Sequence, residues 1–246
     1  MRIEAVYLLL AALCLAVLAF PCAAAVLHVN DDGEEAWQDL QDAIDAAGDG
    51  DTIALSPGRY EASPTAFTES LCGNCESHRT SVDATYGFLV KGKSLYIRGS
   101  GAAETVLVTN AGYGILFEDS PNSTVSALSI TGGRRDPDGM ATDAAVVARR
   151  STVTIRDTWI RDNDHMLEDV VVGIGGVMGR EGAQLFVIGN TIENNGWDGV
   201  ALYRGSTAFV ADNEITGGRG AGIGVTWDAA AILARNRISG YWKGIG

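Results

Sequence analysis

The sequence predicts an all-β fold: a right-handed parallel β-helix (solenoid) with an N-terminal amphipathic capping helix. Three observations predict it. An eight-residue block recurs from residue 123 onward and always ends in isoleucine. Apolar and polar residues alternate inside the blocks, which is the period of a β-strand. Glycine is frequent, at 31 of 246 residues, without the every-third-residue period of collagen, and this indicates many turns.

The repeat has a constant internal pattern. The blocks are residues 123–130, 153–160, 185–192, 208–215 and 231–238. The last three closing isoleucines are 23 residues apart, a period typical of stacked coils. Asn190, Asn213 and Asn236 share the sixth position, so stacking would place their amides in one hydrogen-bonded ladder. Glycine-aliphatic pairs between the blocks mark another strand, and we therefore expect two strands in each coil.

Residues 1–25 are predicted to be a signal peptide. Residues 5–20 form a charge-free apolar run that is followed by the short segment CAAA at 22–25, the pattern of a secretory signal cleaved after Ala25. We expect the mature chain to be one β-helix domain over residues 26–246 and to be secreted, periplasmic or at the cell surface. No membrane-spanning segment is expected after cleavage.

The N-terminal helix is predicted over residues 34–47. Apolar residues recur there at helical spacing, at Trp37, Leu40, Ile44 and Ala47. Asp31 or Asp32 is predicted to cap its start, and Gly48 to end it. Because strands follow at once, we expect this helix to cover the open core of the first coil.

At the other end, the chain stops in YWKGIG, where a new repeat begins. An uncovered last coil would expose apolar side chains and unpaired backbone groups. We therefore expect either a capping partner at this end or a missing C-terminal segment. In the second case the chain is truncated there.

Cys72 and Cys75 are the cysteines that remain after the predicted signal peptide is removed. In an oxidising compartment, a local disulfide between them is expected. His78 extends the pattern to C-x2-C-x2-H, which a zinc site could use. A structural zinc site needs four ligands, however, and the sequence holds no second Cys/His pair.

The charge balance restricts the partners. Eighteen basic and 31 acidic residues give a net charge of −13. Nucleic acid is not an expected partner, because phosphate binding needs clustered Lys and Arg. Simple charge attraction to an anionic polysaccharide is also disfavoured, unless a divalent cation such as Ca²⁺ bridges the two.

The start AWQDLQDAIDAAGDGDTIALSPGRY (36–60) and the repeated N-x-I motifs resemble those of a known family. They are similar to right-handed parallel β-helix repeat proteins of the pectate-lyase-like superfamily, in its carbohydrate-associated, NosD-like subgroup. The resemblance covers nearly all of residues 26–246 and implies the fold and an association with carbohydrate. It implies less about activity, because this fold carries many chemistries and also inert scaffolds.

Three functions are considered. The leading hypothesis is an exported protein that binds a polysaccharide or cell-surface glycan. If it also modifies that glycan, it would be a polysaccharide lyase, an epimerase or a glycoside hydrolase. The second is a non-catalytic cell-surface or periplasmic interaction scaffold. The third, a NosD-like factor for metalloenzyme maturation, is disfavoured because the chain has only three histidines and four methionines.

Two overlong repeats indicate where a site would lie. Extra residues follow the closing isoleucine at 131–145 and 161–173, and 193–199 forms the next turn. Stacking would place these loops side by side, and long loops on a rigid scaffold often carry binding sites. The predicted catalytic residues, acids and bases for glycan chemistry, are Asp162, Asp164, His165 and Asp198. The predicted substrate-binding residues of these loops are Arg134, Arg135 and Trp197.

The closely spaced acids Asp136, Asp138 and Asp143 are predicted to bind Ca²⁺, which prefers carboxylate and carbonyl oxygens. The alternative is that acidic loops of an exported protein are simply solvated. The resemblance lowers the expectation of catalysis, because the G-H-G and R-I-K motifs of glycoside hydrolases with this fold are absent. DPDG (136–139) resembles the D-P-H-[DE] of alginate epimerases, but Asp138 replaces the histidine.

A second predicted substrate-binding surface follows the glycine-aliphatic strands. It contains Tyr203, Arg204 and Trp227. Acids and arginines alternate on the same turn from coil to coil, at Asp119, Arg149, Arg150, Arg204 and Asp228. Such a column favours a ladder of surface ion pairs over an active site.

Overall fold

The structure is a computed structural model that describes residues 24–30, 37, 39–72 and 80–246, with the backbone alone at 71 and 72. Residues 1–23 of the predicted signal peptide lie outside the described residues. The predicted Cys72–Cys75 disulfide also lies outside them, because it requires Cys75.

The described residues contain one helix, α1 (Leu40–Ala46), and 23 strands. The strands are β1 (Val26–Val29), β2 (Thr52–Leu55), β3 (Gly58–Glu61), β4 (Thr65–Cys72), β5 (Thr80–Lys91), β6 (Tyr96–Arg98), β7 (Thr105–Val108), β8 (Tyr113–Glu118), β9 (Ser123–Ser126), β10 (Ser129–Thr131), β11 (Ala144–Arg149), β12 (Thr152–Arg156), β13 (Trp159–Arg161), β14 (Gly175–Arg180), β15 (Gln184–Ile188), β16 (Thr191–Glu193), β17 (Val200–Leu202), β18 (Thr207–Ala211), β19 (Glu214–Thr216), β20 (Ala221–Val225), β21 (Ala230–Ala234), β22 (Arg237–Ser239) and β23 (Lys243–Ile245).

The strands form a parallel β-solenoid with three long sheets. Sheet A has the order β1-β2-β6-β9-β12-β15-β18-β21, sheet B β3-β7-β10-β13-β16-β19-β22, and sheet C β4-β5-β8-β11-β14-β17-β20-β23. Each coil passes from sheet A to sheet B to sheet C. We call the three turns of a coil the AB, BC and CA corners. The predicted solenoid fold is confirmed.

Each coil holds three strands, and the prediction of two strands is wrong. The eight-residue block is itself bent, because its fifth residue has a positive φ in every repeat. These residues are Ala127 (54°), Asp157 (54°), Gly189 (68°), Asp212 (59°) and Arg235 (54°). A left-handed residue turns the chain sharply, so the first half of each block joins sheet A and the second half joins sheet B.

The predicted apolar columns are confirmed. In sheet B, the closing isoleucines pair in register from Ile130 through Ile160, Ile192 and Ile215 to Ile238. The first four are fully buried, and Ile238 of the last coil packs against the same core. This column, with its counterpart in sheet A, fills the interior between the three sheets.

The predicted asparagine ladder is also confirmed. The Asn190 Nδ2 donates to Asn213 Oδ1 at 2.9 Å, and the Asn213 Nδ2 donates to Asn236 Oδ1 at 2.9 Å. The Thr158 hydroxyl donates to Asn190 Oδ1 at 2.8 Å and extends the ladder by one coil. Each buried amide therefore finds its partner in the copy of itself one coil away.

Helix α1 begins later than predicted. Asp39 is its N-cap and accepts from the backbone N–H groups of Gln41 and Asp42 at 2.7 and 3.2 Å. Trp37 instead forms an isolated bridge to Val29 of β1. The apolar face, Leu40, Ala43 and Ile44, is buried in the main core. The rest of the predicted helix, with Asp31 and Asp32, lies outside the described residues, so a full cap stays a prediction.

Strands β4 and β5 form a β-hairpin that the sequence did not indicate. It begins at the edge of sheet C, and its residues contact Tyr113, Arg149 and Arg180 on later strands of that sheet. Strand β4 pairs antiparallel with the first half of β5, whereas the second half of β5 belongs to the first coil. Phe67 of β4 packs against Tyr86 and Tyr113, with ring centroids 5.6 Å apart and interplanar angles of 54° and 72°. The hairpin helps to bury a second apolar cluster outside the solenoid: Ala84, Tyr113, Leu116, Ala144, Val147, Met178 and Ala201.

The last coil is more exposed than the others. Ile232, Trp242 and Ile245 are 68%, 77% and 60% exposed. The expected capping partner or missing segment at this end stays a prediction.

Candidate functional site

The BC corner carries the two long loops. From β10 onward, its five loops are 132–143, 162–174, 194–199, 217–220 and 240–242. The first two lie side by side, as predicted. An isolated parallel bridge joins Arg134 to His165, and the Arg135 N–H donates to the His165 carbonyl at 2.9 Å. The rigid coil below therefore brings the two longest insertions together on one side of the molecule.

The same local turn starts each of these loops. The first loop residue has a positive φ in all five coils: Gly132 (73°), Asp162 (54°), Asn194 (53°), Gly217 (68°) and Gly240 (71°). Glycine, asparagine and aspartate are the residues that adopt this conformation most readily. The loops consequently leave the solenoid in the same direction, and their lengths alone distinguish them.

An open cleft of about 580 Å³ lies across three of these loops. Its lining residues are Asp162, Asp164, Met166, Asn194, Asn195, Gly196, Gly217, Gly218 and Arg219. Asp162, Asp164 and Asn194 are exposed. The Arg219 side chain crosses between loops, donating from Nε to the Gly196 carbonyl at 3.2 Å and from Nη2 to the Val171 carbonyl at 3.1 Å.

Glycines allow the loops around the cleft to pack closely against one another. A Cβ at Gly218 would lie 2.3 Å from the Trp197 carbonyl oxygen and 2.3 Å from the Tyr241 ring. A Cβ at Gly217 would lie 2.7 Å from Asn194 Oδ1. The cleft therefore presents carboxylates, an amide and a guanidinium around bare backbone, an arrangement that can exchange several hydrogen bonds with a hydroxyl-rich ligand.

Two of the predicted catalytic residues, Asp162 and Asp164, line the cleft, and two do not. His165 is exposed on the same loop but is not part of the lining. Asp198 is buried beneath the corner, where its Oδ1 accepts from the Ala221 N–H at 2.6 Å. Burial raises the pKa of Asp198 to about 6, although the hydrogen bond from Ala221 lowers it. The structure thus separates Asp198 from the exposed acids with which it was grouped.

Tyr241 is a neighbour of Asp198 that sequence reasoning missed. Its hydroxyl is buried and makes no hydrogen bond within the described part of the chain. Burial and the negative charge of Asp198 both raise the pKa of this phenol. The repeat could have indicated this position. Tyr241 follows the left-handed Gly240 at the start of its BC loop, just as Gly218 follows Gly217 in the coil before.

The three predicted substrate-binding residues of the BC corner differ in how exposed they are. Arg134 is exposed and Trp197 is half-buried, and neither lines the cleft. Arg135 is 4% exposed, and its side chain is fully buried. The prediction that Arg135 binds substrate is therefore corrected, because its guanidinium is used inside the protein.

Arg135 belongs to a buried cluster with two acids of its own loop. Its Nη1 lies 2.6 Å from Asp143 Oδ2, which also accepts from the Asp136 N–H at 2.7 Å. Asp136 accepts from the N–H and the hydroxyl of Thr85 at 2.9 and 2.7 Å. The two carboxyls meet over Gly112, where a Cβ would lie 2.2 Å from Asp136 Oδ2 and 2.7 Å from Asp143 Cγ.

The electrostatics of this cluster follow from its burial. Burial and then the charge of Asp136 raise the pKa of Asp143 to about 7, although Arg135 acts in the opposite direction. Burial also raises the pKa of Asp136, opposed by its two hydrogen bonds from Thr85. Both effects are expected of two like charges held in a low-dielectric interior.

The calcium prediction for Asp136, Asp138 and Asp143 is wrong. N–H and O–H donors already occupy the oxygens of Asp136 and one oxygen of Asp143, whereas Asp138 Oδ1 caps the Met140 N–H at 3.0 Å. Over the residues that the structure describes, no group of three or more His, Cys, Asp and Glu side chains could hold a metal ion.

The second predicted substrate-binding surface lies at the CA corner, and only part of it is exposed. The surface ladder is present at Arg150, whose Nε lies 2.6 Å from Asp119 Oδ1. Arg204 is instead buried and paired with Glu181, so its predicted role in substrate binding is corrected. Trp227 is exposed, and Tyr203 is half-buried against the outer apolar cluster.

Arg149 is also buried, because it pairs with a residue that is distant in the sequence. Glu69 of the hairpin places Oε2 2.5 Å from Arg149 Nη1 and 2.7 Å from Arg180 Nη2. The hairpin thus supplies the counter-charge for two arginines that stack one coil apart.

The chain matches one protein-family model, described as "Periplasmic copper-binding protein (NosD)", over residues 97–246. No curated protein matches the chain. A solved structure, the A-module of the mannuronan C-5 epimerase AlgE6 from Azotobacter vinelandii, is 16% identical and aligns over 80% of this chain and 69% of its own, with a TM-score of 0.22. A likeness of that strength carries no inference about this chain.

Two further observations bear on the family's description. No helix in the described ranges is long and apolar enough to cross a membrane. The described histidines are His28 in β1 and His165 in the loop after β13, and neither belongs to a group able to hold a metal. The described residues therefore do not fit a copper site. Cys75 and His78 lie outside them.

Proposed function

The chain belongs to the NosD family, and from this premise we propose that it is an exported protein that binds an uncharged polysaccharide in the BC cleft. The family's description as periplasmic supports export. The observation that carries the proposal is the cleft itself: an open groove of about 580 Å³ with exposed carboxylates, an amide and Arg219 around a glycine floor.

The shape of the cleft suits a polymer better than a small molecule. It is open to solvent, and it runs across three stacked loops, whose coils repeat along the solenoid axis at about the 4.8 Å spacing of neighbouring strands. A chain of sugar rings could lie along this axis and exchange hydrogen bonds with successive coils.

The charge of the protein selects the kind of glycan. Its net charge is −13, and two of the polar groups in the cleft are the exposed carboxylates Asp162 and Asp164. An anionic uronate polymer would be repelled, because no metal-binding group in the described part of the chain could bridge the charges. Hydroxyl groups donate hydrogen bonds to carboxylates without this penalty.

Binding is proposed in preference to catalysis. Glycoside hydrolysis needs one carboxylic acid that holds a proton beside a second carboxylate. Asp198 has a raised pKa, but it does not line the cleft, and its carboxyl is directed toward Ala221 and Gly220. The alternative function, a non-catalytic interaction scaffold, differs from this proposal because it requires no glycan binding.

The test is a binding measurement with paired variants. The purified exported chain is titrated with soluble neutral polysaccharides, such as dextran and galactomannan, and with alginate as the anionic comparison. We expect binding to a neutral polymer and about a tenfold loss in Asp164→Asn, since a hydrogen bond to a charged group is worth about 1.5–3 kcal/mol.

The matched control is Asp157→Asn, an exposed aspartate of the same coil at the opposite AB corner. It should leave the affinity unchanged. Binding to neither kind of polymer would reject the proposal and favour the scaffold. Preference for alginate would reject an uncharged polysaccharide as the ligand, and equal losses in both variants would show that the BC cleft is not the site.

A further inference from the structure

We infer that Arg135, Asp136 and Asp143 form a proton-dependent latch, which holds loop 162–174 and with it one wall of the BC cleft. The latch stands on the geometry of the two loops. Its consequence for ligand binding rests on the proposed function.

Arg135 fastens the second long loop at both ends. Its backbone N–H donates to the His165 carbonyl at 2.9 Å, and its Nε donates to the Val172 carbonyl at 2.8 Å. The segment between these two carbonyls includes Met166, and Asp164 precedes it directly; both line the cleft. The Arg135 side chain therefore helps to hold the C-terminal part of loop 162–174, where Arg219 also donates to the Val171 carbonyl at 3.1 Å.

The guanidinium is held in turn by its own loop. Its Nη1 contacts Asp143 Oδ2 at 2.6 Å, and its Nη2 donates to the Ala141 carbonyl at 2.7 Å. Asp136 ties the same loop to Thr85 of β5 through two hydrogen bonds. Two neighbouring buried side chains thus connect loop 132–143 to its surroundings, Asp136 to the hairpin strand and Arg135 to loop 162–174.

A count of charges indicates that this cluster contains a proton. Two buried carboxyls face one buried guanidinium, so the fully ionised cluster would carry one uncompensated negative charge. Asp143 Oδ1 is buried and accepts no hydrogen bond from the described residues, and the Asp143 and Asp136 carboxyls meet over Gly112. A proton shared at this position neutralises the cluster and satisfies that oxygen.

The direction of the pH dependence follows from linkage. The closed cluster keeps its proton up to a pH near 7, whereas an opened loop exposes Asp143 to water, where its pKa returns to about 3.8. Opening therefore releases a proton, and it becomes easier as the pH rises from about 4 to about 7. Above that range both states are ionised, so the opening equilibrium levels off.

The nearby Arg180 guanidinium, which donates from Nη1 to the Thr142 hydroxyl at 2.5 Å, has its own counter-charges in Glu69 and Glu181. The titratable side chains around the cluster can be tested separately from it. Asp138 lies on the same loop, Asp83 neighbours Thr85 on the hairpin, and His165 lies on the loop that Arg135 fastens. His165 contributes its backbone carbonyl to the latch, and its side chain is exposed. Replacing these side chains should leave the latch intact.

The experiment is hydrogen–deuterium exchange of the ligand-free exported chain between pH 5 and pH 8, corrected for the intrinsic rate. Peptides from 132–143 and 162–174 should lose protection about tenfold per pH unit between 5 and 7, the limit for release of one proton, and then level off. Strand β15 serves as the internal reference for global opening.

Asp143→Asn is the decisive variant. Its amide can place oxygen at Oδ2, to accept from Arg135, and nitrogen at Oδ1, to donate to Asp136, so it reproduces the protonated state. We expect loop protection that is high and independent of pH. Asp138→Asn and His165→Gln should keep the wild-type profile.

A flat wild-type profile from pH 5 to 7 would overturn the latch even if no variant folded, and so would a pH slope that persists in Asp143→Asn. The readout contains no glycan and is thus independent of the proposed function. Failure of glycan binding with an intact pH profile would reject the cleft's function and leave the latch standing.

Discussion

The AB and BC corners belong to the same coils but are built differently. At the AB corner, each block from 123–130 to 231–238 turns on its fifth residue, so these five coils have the same length there. The next side chain consequently meets its copy in the neighbouring coil, and Asn190, Asn213 and Asn236 bond to one another. At the BC corner, loop length varies from coil to coil, and polar groups face other loops or solvent.

A short second ladder shows the difference clearly. At the BC corner, the Asn163 Nδ2 donates to Asn195 Oδ1 at 2.9 Å. The equivalent residue one coil later is Gly218, which has no side chain, so the ladder ends and the cleft begins. Equal turn lengths thus bring equivalent polar side chains into contact, whereas unequal loop lengths leave an open cleft lined by polar groups.

The largest expected effect is at the AB corner. In Asn213→Ala, the Asn190 amide and the Asn236 oxygen lose a partner, and the Val187 carbonyl loses a donor at 2.8 Å. We expect the free energy of unfolding to fall by about 3 kcal/mol, because buried polar groups are left unsatisfied. Urea denaturation measures it, with the exposed Asn122→Ala as control. A loss below about 1 kcal/mol would contradict the ladder as a stabilising element.

The BC ladder should matter less. Asn195 accepts from Asn163 and donates to the Ile160 carbonyl at 3.0 Å, but it passes no hydrogen bond to the next coil. Asn195→Ala should therefore cost about 2 kcal/mol by the same denaturation experiment. An equal or larger loss than in Asn213→Ala would remove the distinction between the two corners.

The smallest effect is expected at the AB turn itself. Gly189 has a φ of 68°, and a Cβ there would have only Asp157 Oδ1 nearby, at 3.5 Å. Gly189→Ala should cost about 1 kcal/mol of unfolding free energy, the strain of a left-handed alanine. Ala127 already adopts this conformation in another coil. A loss of several kcal/mol would mean that the turn is crowded in a way that the geometry does not show.

Sequence reasoning anticipated the features that repeat. The isoleucine columns, the ladder at Asn213 and the neighbouring long loops were predicted, because a fixed period places equivalent residues one above another. The third strand was missed, because the bend at residues such as Asp157 and Arg235 lies in the backbone dihedral and has no constant residue type. The acids of the cleft were predicted as surface groups, and Asp162 and Asp164 are exposed.

The burial of the charged residues could not be predicted in this way. Asp136 and Asp143 were predicted to bind calcium or to be solvated, whereas Arg135 and Arg204 were predicted to bind substrate. Their burial depends on partners far away in the sequence, such as Thr85 for Asp136 and Glu69 for Arg149. A charged side chain enters the interior only where a counter-charge and hydrogen bonds meet it.

By itself, the sequence determined the solenoid, its apolar columns, its ladder and the side of the coil that carries the long loops. These features arise from the strand period and from a repeat that contacts only its own copies. The tertiary structure alone decided that the β4–β5 hairpin covers sheet C, and that Arg135 faces inward while Asp164 faces the cleft. Those outcomes depend on contacts between segments that do not repeat, and no periodic pattern encodes them.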